Sequence, residues 1–514
     1  MGIIVLFTII ALFPSLFTPY DPVNQQDLAG EYAAPMWLKG LPPALGGRPW
    51  LSENFHPIQD TKFDDANSIA QEWTYSSDPR VSAQIQDGAL NIEFKREETG
   101  SAFGNVTYEI FKEFEYPYVG SPHSFRGFIR FLVSGSTTLR VLTEQYVNKS
   151  DPERWVIQTR TINASYYDAP VNFQIFLERV GGRRYLVWPL ARYGGYHPDG
   201  MEQNGTFTKD TGDWINSEDG VPMDSSGPLT KVIWEKYQNL PRAVIFPEGT
   251  LPDRFRWGIS LTFLDTEASK PVQTKISIDE FRLKFRGTAW GLMGTDGLGR
   301  DLFSQLIYGS RISLYVGLLS SILAIGLGLF VGLVAGYIGR IPDEILMRFT
   351  DLLLVLPGLP LLIVLMAVLG AGIENMIILL GLLGWMGFAR LVRSQVISLK
   401  ERPFIEAAKA VGAGKPHIIS KHILPNVMSL VYVSLATAVP GSIVAEAALS
   451  WLGFADPTRV SWGRMLYEVQ IESASQNWWW VAPPGLSIAL LAMAFVLLGY
   501  ALDEVLNPRL RIRR

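Results

Sequence analysis

Long uncharged apolar segments in the C-terminal half constrain the fold of this chain more than any other feature. Ile312 to Ile338 is a run of 27 residues without a charged side chain, and Leu352 to Ala371 is a second run of 20. A helix that crosses the hydrocarbon core of a bilayer needs about 20 predominantly apolar residues. The chain has 514 residues and is 48% hydrophobic. Because its apolar residues are segregated in this way, the sequence predicts a helical membrane protein.

Three further apolar segments and one shorter segment complete a prediction of six membrane spans. The further segments are Met376 to Gln395, Val427 to Ala445 and Val481 to Leu502. Gly2 to Phe17 is also apolar and uncharged, but its 16 residues are fewer than a full span needs. A signal peptide has a basic start and a small-residue cleavage site, and this segment has neither. We therefore interpret it as a first span whose cytoplasmic lead-in is missing or very brief.

The basic residues of the short loops predict the orientation of these spans. The loop from Arg390 to Lys421 holds seven Lys or Arg residues, and the tail from Arg509 to Arg514 holds four Arg residues. The turn from Gly370 to Asn375 holds none. Short loops rich in Lys and Arg remain on the cytoplasmic side of a membrane. We therefore expect both termini and the 390–421 loop in the cytoplasm, and the large region before the second span outside it.

A polar, basic island interrupts the apolar half between Glu406 and Pro425. Pro403 suits the first turn of a helix, where its missing N–H is not needed, and Gly412 suits a left-handed C-terminal cap. Pro416 suits the start of a second helix, and Pro425 is expected to end it. The pattern predicts a hairpin of two short helices around a glycine turn, at residues 399–425. From composition alone, a docking surface and a solvated loop are equally open.

The residues of this island resemble the coupling motif of the membrane subunits of ABC importers. The matching positions are Glu406, Ala407, Ala408, Gly412, Leu424 and Pro425. His422 stands where the motif usually has Ile, and the ending His-Ile-Leu-Pro-Asn is similar to the oligopeptide and dipeptide branch of the family. The resemblance implies that the hairpin lies in a groove of a cytoplasmic ATPase and transmits the closure of that ATPase to the spans.

Three other segments carry the same resemblance. A glycine-rich stretch matches at Gly294, Thr295, Asp296, Leu298, Gly299, Arg300, Asp301, Ser304, Gly309, Arg311, Ser313 and Leu314. Further matches are Glu446, Leu449, Ser450, Leu452 and Gly453, and near the C-terminus Leu498, Gly499, Leu502, Pro508 and Arg509. The physical pattern of the first stretch predicts a turn followed by a separate interfacial amphipathic helix, with Leu302, Phe303 and Ile307 on one face. The likeness covers Gly294 to Arg511 and the first 22 residues.

The region from 21 to 290 is charged, aromatic and rich in turns, without an apolar stretch long enough to cross a bilayer. Apolar and polar residues alternate over 81–85 and again over 90–94, and Asp87-Gly88 lies between them, which is typical of a hairpin. The alternation recurs over 171–177 and 255–263. A last strand changes phase between Ile278 and Phe281, as a bulge does. The pattern predicts an inserted all-β domain of the sandwich type.

This region also holds the candidate metal-binding residues. Acidic clusters in glycine-containing loops are candidate calcium ligands, but they lack EF-hand spacing, and solvated loop charges are the favoured interpretation; their members are Asp64, Asp65, Asp199, Glu202, Asp210, Asp213, Glu218 and Asp219. His56, His123 and His197 lack metal-ligand spacing. The chain has no cysteine, which excludes disulfides and thiol chemistry. The last strand weakly resembles the jelly-roll sandwiches of carbohydrate-binding modules, so a membrane-anchored protein that binds or hydrolyses glycans is the alternative hypothesis.

These observations combine into one hypothesis: a six-span permease subunit of an ABC importer of the oligopeptide and dipeptide type. The expected division is 1–20 for the first span, 21–290 for an extracytoplasmic β insert, 291–311 for a linker and interfacial helix, and 312–510 for the permease core. The resemblance implies a type I permease fold, a second permease subunit, two cytoplasmic ATP-binding subunits and an external substrate-binding protein. It also implies that ATP and Mg²⁺ bind to the ATPase partners, in a bacterial or archaeal plasma membrane.

Glu446 is the candidate residue for the translocation path, since an acid near the end of a span is often functional. A structural role at a helix interface is equally open. We expect this chain to bind membrane lipid but no nucleic acid, cofactor or metal, and to carry no catalytic residue. The transported solute is not defined by the sequence, because relatives in this family carry peptides, sugars, nickel chelates and other small solutes.

Overall fold

The chain folds into two compact units. The computed structural model describes residues 1–58, 63, 73–97, 103–148, 156–188, 206–207, 215–216, 223–224, 245–247, 249–265 and 270–506. The helical unit comprises Met1–Pro35 and Gly291–Arg514, and the β unit comprises Met36–Trp290. The predicted start of the insert at residue 21 was therefore placed too early. The Thr295 N–H donates to the Ala33 carbonyl at 3.0 Å and the Ala33 N–H donates to Thr295 Oγ1 at 2.9 Å, which holds the preceding segment in the helical unit.

The β unit contains two large antiparallel sheets. Its described strands are β1 (Phe55–Ile58), β2 (Thr74–Tyr75), β3 (Val81–Gln86), β4 (Ala89–Arg96), β5 (Val106–Tyr116), β6 (Ser124–Gly135), β7 (Thr137–Asn148), β8 (Val156–Tyr167), β9 (Val171–Arg179), β10 (Arg184–Trp188), β11 (Thr206–Phe207), β12 (Ile215–Asn216), β13 (Met223–Asp224), β14 (Asp253–Phe263) and β15 (Val272–Arg286). One sheet has the order β12-β6-β15-β4-β3, with β1 beside β15 and β13 beside β6. The other has the order β10-β9-β14-β5-β2, with β11 beside β9, and β7 pairs with β8 separately.

Buried aromatic side chains join the two large sheets in one core. Phe94 of β4 stacks on Phe263 of β14 with ring centroids 5.1 Å apart, and Phe131 of β6 stacks on the ring of β9 residue Phe173 at 4.6 Å. All four rings are completely buried. Such pairs contribute roughly 0.5–1.5 kcal/mol beyond the burial of their area. Because the sheets pack face to face through these rings, the prediction of an inserted sandwich-like β domain is confirmed.

Two local predictions in the β unit are also confirmed. Strands β3 and β4 pair from Val81 opposite Phe94 to the turn, where Asp87 and Gly88 have φ of 58° and 75°. Both central residues are therefore in the left-handed region that a two-residue hairpin turn requires. The pairing of β15 with β6 shifts register between residues 278 and 280, as expected for a bulge. The acidic clusters proposed for calcium, and His197, lie outside the described residues.

The helical unit is built from helices of 4 to 37 residues. The helices are α1 (Gly2–Leu12), α2 (Leu302–Ile338), α3 (Arg340–Val355), α4 (Gly358–Leu369), α5 (Ile373–Gly384), α6 (Met386–Lys400), α7 (Pro403–Ala410), α8 (Lys415–Ile418), α9 (Leu424–Leu449), α10 (Trp462–Ile471) and α11 (Trp478–Leu506). A π turn at Ile419–Ile423 joins α8 to α9, and a second one follows α9 at Ser450–Phe454.

Four helical segments of the described chain are long and apolar enough to cross a membrane. They are Leu302–Ile338, Ile373–Lys400, Lys415–Phe454 and Trp478–Val505. Helices α3 and α4 count as a fifth if they form one span, although they meet at an angle of 88° next to Pro357. Helix α1 has 11 residues and is shorter than a span. The six predicted spans correspond to these four segments, the bent pair and α1.

The predicted interfacial helix before the second span does not exist as a separate element. Helix α2 runs without a break for 37 residues from Leu302, and the Asp301 side chain caps its first turn by accepting the N–H of Ser304. The amphipathic pattern was misleading, because Ser304 and Gln305 are both fully buried. Their polar atoms bond to other buried groups, Ser304 Oγ to Asp301 and Gln305 Nε2 to Asp296. Two polar residues in the first turn are thus interior and do not mark a water-facing side.

The second helix of the polar island does not end at Pro425, contrary to the prediction. Helix α8, the π turn and α9 form one continuous helical segment from Lys415 onward. Proline normally disrupts a helix because it cannot donate the backbone hydrogen bond. Here the π turn already changes the bonding pattern, with the Leu424 N–H donating to the Ile419 carbonyl. The Asn426 side chain donates to the free His422 carbonyl at 2.7 Å.

Candidate functional site

The polar island forms a short helix, a glycine turn and the start of a long helix. Pro403 occupies the first turn of α7, as predicted, and Glu406 lies in the same turn, where a negative charge is favoured by the helix dipole. Gly412 follows the end of α7 with φ of 89°, a left-handed conformation that suits glycine. Its N–H donates to the Lys409 carbonyl at 3.0 Å. These 403–425 residues are called the hairpin below.

Buried isoleucines attach the hairpin to the ends of the long helices. Ile405, Ile418 and Ile423 are at most 1% exposed and belong to one hydrophobic cluster. The same cluster includes Tyr337 at the C-terminal end of α2 and Val396 of α6. Fully burying an aliphatic side chain contributes roughly 1.5–3 kcal/mol relative to leaving it in water. The hairpin is therefore held against α2 and α6 and is not a loose loop.

The opposite side of the hairpin is bare within this chain. Glu406 and Ala407 are exposed, Val411 is 89% exposed and Phe404 is 43% exposed. Phe404 and Val411 thus leave apolar surface exposed beside Glu406. Of the other predicted coupling residues, Ala408 and Leu424 are half-buried, and Gly412 and Pro425 are exposed. Pro425 lies within the long helical segment and does not end a helix.

Glu446 is buried inside the helical unit, where it joins α2 to α9. Glu446 is 2% exposed, and its carboxylate accepts hydrogen bonds from Ser313 Oγ at 3.2 Å and from Ser450 Oγ at 2.9 Å. A carboxyl group in an apolar interior needs such donors, because an unsatisfied buried polar group is costly. Glu446 therefore links two helices of this chain.

A buried ionic cluster precedes α2, and the sequence analysis gave it no role. The Asp296 carboxylate accepts the backbone N–H groups of Leu298 and Arg300, both at 2.9 Å. It also accepts Arg300 Nε and Gln305 Nε2, both at 2.6 Å. Arg300 Nη2 donates to Glu468 of α10 at 3.1 Å. The side chains of Asp296 and Arg300 are 0% and 5% exposed, so this pair fastens the loop before α2 to α10.

Glu472 lies at the edge of this cluster, beside Tyr32. The Gly297 N–H donates to Glu472 Oε2 at 3.1 Å, and the Tyr32 hydroxyl is hydrogen-bonded to the same carboxyl group. Burial, followed by the charges of Asp296 and Glu468, raises the pKa of Glu472 to about 7. Burial and the neighbouring Glu472 raise the pKa of Tyr32 to about 12. A local sequence pattern offers one clue, because Glu468 and Glu472 are four residues apart on a short helix and its end.

We expect the stability of the helical unit to fall as the pH rises from about 4.5 to about 7. In that window the Glu472 carboxyl remains protonated in the folded chain and ionises in the unfolded chain, because its pKa rises from 4.5 to about 7 on folding. The folded state then binds more protons, so raising the pH favours unfolding. The measurement is the melting temperature of the full chain in detergent across this pH range.

Two variants isolate the contribution of Glu472 to this pH dependence. Glu472→Gln keeps the shape of the side chain but cannot ionise, so its melting temperature should decline less than that of the wild type over the same window. Glu374→Gln is the matched control, because the Glu374 side chain is 65% exposed. Equal pH slopes for the wild type and Glu472→Gln would contradict the assignment.

Comparison with known proteins identifies the family. Residues 328–512 match the family described as "Binding-protein-dependent transport system inner membrane component". The dipeptide transport system permease protein DppC of Bacillus subtilis is 40% identical over 219 residues, which are 42% of this chain and 68% of that protein. The glutathione transport system permease protein GsiD of Pectobacterium atrosepticum is 37% identical over 225 residues, 43% of this chain and 73% of that protein.

A solved structure of a methionine ABC transporter in an inward-facing conformation is also similar, with 18% identity and a TM-score of 0.32 over 38% of this chain and 96% of that chain. The relatives do not favour the alternative of a glycan-binding or glycan-hydrolysing anchor. They are transport subunits and not enzymes. The chain belongs to the family of binding-protein-dependent transport system inner membrane components, and it is a multi-pass membrane permease subunit of an ABC importer.

Proposed function

We propose that this permease forms part of the translocation path for dipeptides, oligopeptides or a similar small solute. The support is that its relatives are named for dipeptide and glutathione transport and are 40% and 37% identical over the aligned residues. The complete importer would contain a second permease subunit, two cytoplasmic ATP-binding subunits and an external substrate-binding protein. ATP and Mg²⁺ would be bound by the ATPase subunits and not by this chain.

The proposed coupling to the ATPases rests on the hairpin, which packs against the helical unit on one side and is exposed on the other. Ile405 and Ile418 fix it to the helical unit, while Glu406 and Val411 face outward. A rigid hairpin with an exposed acid and an exposed apolar tip suits docking in an ATPase groove. It would stay bound in that groove while the ATPase closes. The proposed ATPase-coupling residues are Glu406, Ala407, Ala408, Gly412, Leu424 and Pro425. Closure of the ATPases would then shift the permease between inward-facing and outward-facing states.

The proposed orientation puts the hairpin and both termini in the cytoplasm and the β unit outside. It is supported by the seven Lys or Arg residues in the 390–421 loop. The length of the β unit does not oppose it, since long domains cross a membrane largely regardless of their charge. Glu446 is proposed as a structural link between α2 and α9, because serine hydroxyls of this chain satisfy its carboxyl group.

The test of the proposed substrate is to purify the whole importer complex and to identify the solute that accompanies it by mass spectrometry. A peptide that also stimulates ATP hydrolysis in the reconstituted complex would support the proposal. A sugar or a metal chelate with the same effect would leave the permease assignment intact and replace the substrate class.

We further propose that the β unit contributes to docking of the external binding protein. It is tethered at Met36 and at Trp290, and the two connections are adjacent, because Ala33 and Thr295 are hydrogen-bonded to each other. Tethering at two points raises the effective concentration of a domain at the surface where the binding protein arrives. Replacing residues 36–290 by a short Gly/Ser bridge should preserve basal ATP hydrolysis and weaken binding-protein association by about tenfold or more.

A second deletion controls for the position of the cut. Removing 28–288 also removes residues whose backbone bonds to the loop before α2, such as the Tyr32 N–H to the Asp296 carbonyl at 3.0 Å. This larger deletion should lower the melting temperature, whereas the 36–290 deletion should leave it nearly unchanged. Unchanged affinity for the binding protein after the 36–290 deletion would mean that the β unit is a steric or stabilising cap.

A further inference from the structure

A cavity of about 840 Å³ lies at the N-terminal end of α2 and belongs to none of the sites above. Three segments line it: residues 21–24 after α1, the first turns of α2, and residues 457–460 before α10. The C-terminal end of α2 contributes Tyr337 to the cluster that anchors the hairpin. The cavity is therefore at the end of the helical unit opposite to the hairpin, about 40 Å away along a helix of this length.

The charged groups of the cavity favour an anion. Arg311 of α2 and Arg459 line it, together with the single acid Asp21. The Asp21 carboxylate is already used, because it accepts the N–H groups of Val23 and Asn24 at 2.8 and 2.9 Å. Arg459 has a loose contact with Glu374, at 3.7 Å between exposed side chains. Among the described residues no carboxylate lies within ion-pair distance of the exposed Arg311, so the cavity retains positive charge.

An apolar stripe continues from Arg311 along the same face of α2. Residues 311, 315, 318 and 322 are three or four positions apart and therefore lie on one side of the helix. Tyr315 is 46% exposed, Leu318 is 43% exposed and Ile322 is 47% exposed. From Arg311 to Ile322 the helix rises by about 16 Å, which is close to half the thickness of a bilayer core and so to the depth that one acyl chain spans.

We propose that this cavity binds the phosphate of an anionic phospholipid, with an acyl chain along the apolar stripe of α2. The guanidinium of Arg311, with that of Arg459 nearby, is matched to a phosphodiester, because planar N–H donors pair well with phosphate oxygens. The two tyrosines of the cavity wall, Tyr308 and Tyr315, suit the level between headgroup and acyl chains. The order along the stripe, a cation, then tyrosine, then aliphatic residues, follows the order of polarity within a phospholipid. This site is independent of the solute that the importer carries.

The test is native mass spectrometry of the full chain in detergent, titrated with phosphatidylglycerol, with phosphatidylcholine and with inorganic phosphate. We expect phosphatidylglycerol to bind most tightly, because the choline group adds a cation beside the two arginines. Arg311→Gln should weaken phosphatidylglycerol binding by about five- to tenfold, and Arg311→Lys, which keeps the charge but not the planar pair of donors, should restore it only in part. Arg183→Gln is the charge-matched control, since Arg183 is an exposed residue of the β unit.

Three outcomes would overturn the proposal. Equal phosphatidylglycerol affinity in Arg311→Gln and in the wild type would remove the cavity as the binding site. Inorganic phosphate that binds as tightly as the lipid would assign the cavity to a free anion. Complete displacement of the lipid on assembly with the second permease would assign this face of α2 to the subunit interface. Normal melting temperatures of Arg311→Gln and Arg311→Lys, with binding partly restored in the lysine variant, separate loss of the site from loss of the fold.

Discussion

Glu406→Lys is expected to leave the permease folded and inserted but to uncouple it from its ATPases. Glu406 is exposed on the bare side of the hairpin, so its replacement removes no internal contact. The substitution instead presents a positive charge to the ATPase groove, where the proposed contact involves the negative charge of Glu406. The cost in docking is expected to be about 1–3 kcal/mol, roughly fivefold to 150-fold, on the scale of a hydrogen bond to a charged group. The measurement is substrate-stimulated ATP hydrolysis by the reconstituted complex.

Glu401→Lys provides the matched control for this charge reversal. Glu401 is also exposed and follows α6, only five positions earlier, but it lies outside α7 and the glycine turn. We expect it to retain most of the stimulated activity. Wild-type stimulation in Glu406→Lys, or equal losses in the two variants, would contradict the docking role of Glu406.

The glycine turn offers an independent test of the same coupling. Gly412→Ala introduces a side chain at φ of 89°, where an L residue is strained by roughly 1–2 kcal/mol. Gly414→Ala is its control, because Gly414 has φ of −71° and an added Cβ would meet no atom closer than 4.0 Å. We expect the first variant to impair stimulated ATP hydrolysis and the second to leave it unchanged.

The second large effect is expected at the buried cluster before α2. Asp296→Ala leaves the Arg300 side chain, which is 5% exposed, without its closest partner and frees two backbone N–H groups and the Gln305 amide. Removing one member of a buried ion pair typically costs about 3–5 kcal/mol. The loop before α2 and helix α10 should therefore separate more readily. Hydrogen exchange of the 296–300 and 462–472 segments, with the melting temperature, measures this.

Asp456→Ala is the control for Asp296→Ala. Asp456 also accepts a backbone N–H and a side-chain hydroxyl, both from Thr458, but in an exposed turn. Its loss should cost about 1 kcal/mol or less, since surface substitutions have small effects. If Asp296→Ala were no more destabilising than Asp456→Ala, the cluster would not be what fastens the loop to α10.

Features encoded by neighbouring residues were predictable from the sequence. Asp87-Gly88 defines its turn because both residues tolerate positive φ, and the strands on either side alternate with the period of a sheet. Pro403 and Gly412 define the two ends of α7 for equally local reasons. The bulge in β15 was visible as a change of phase. In each case the signal is contained within a few positions of the chain.

Features that depend on distant partners were not predictable. Ser304 and Gln305 have the polarity of water-facing residues, and only their partners Asp301 and Asp296 explain why they are buried. Pro425 normally indicates the end of a helix. Here the helix continues, because the preceding π turn already changes the backbone hydrogen bonding. Glu472 became notable only beside Tyr32, which is 440 positions earlier in the sequence. The hairpin was predictable from the sequence, whereas the cluster that fastens the loop before α2 was not.

The continuous helical segment from Lys415 to Phe454 makes the second arm of the hairpin and a membrane span into a single rod. Its 40 residues correspond to a length of about 60 Å. The proposed ATPase contact lies at one end of this rod, and Ser313 of α2 holds Glu446 toward the other end by a hydrogen bond. A sideways displacement of His417 must then either move α2 as well or bend the π turn between them. The amplitude at the far end is thus limited by the stiffness of five residues, Ile419–Ile423.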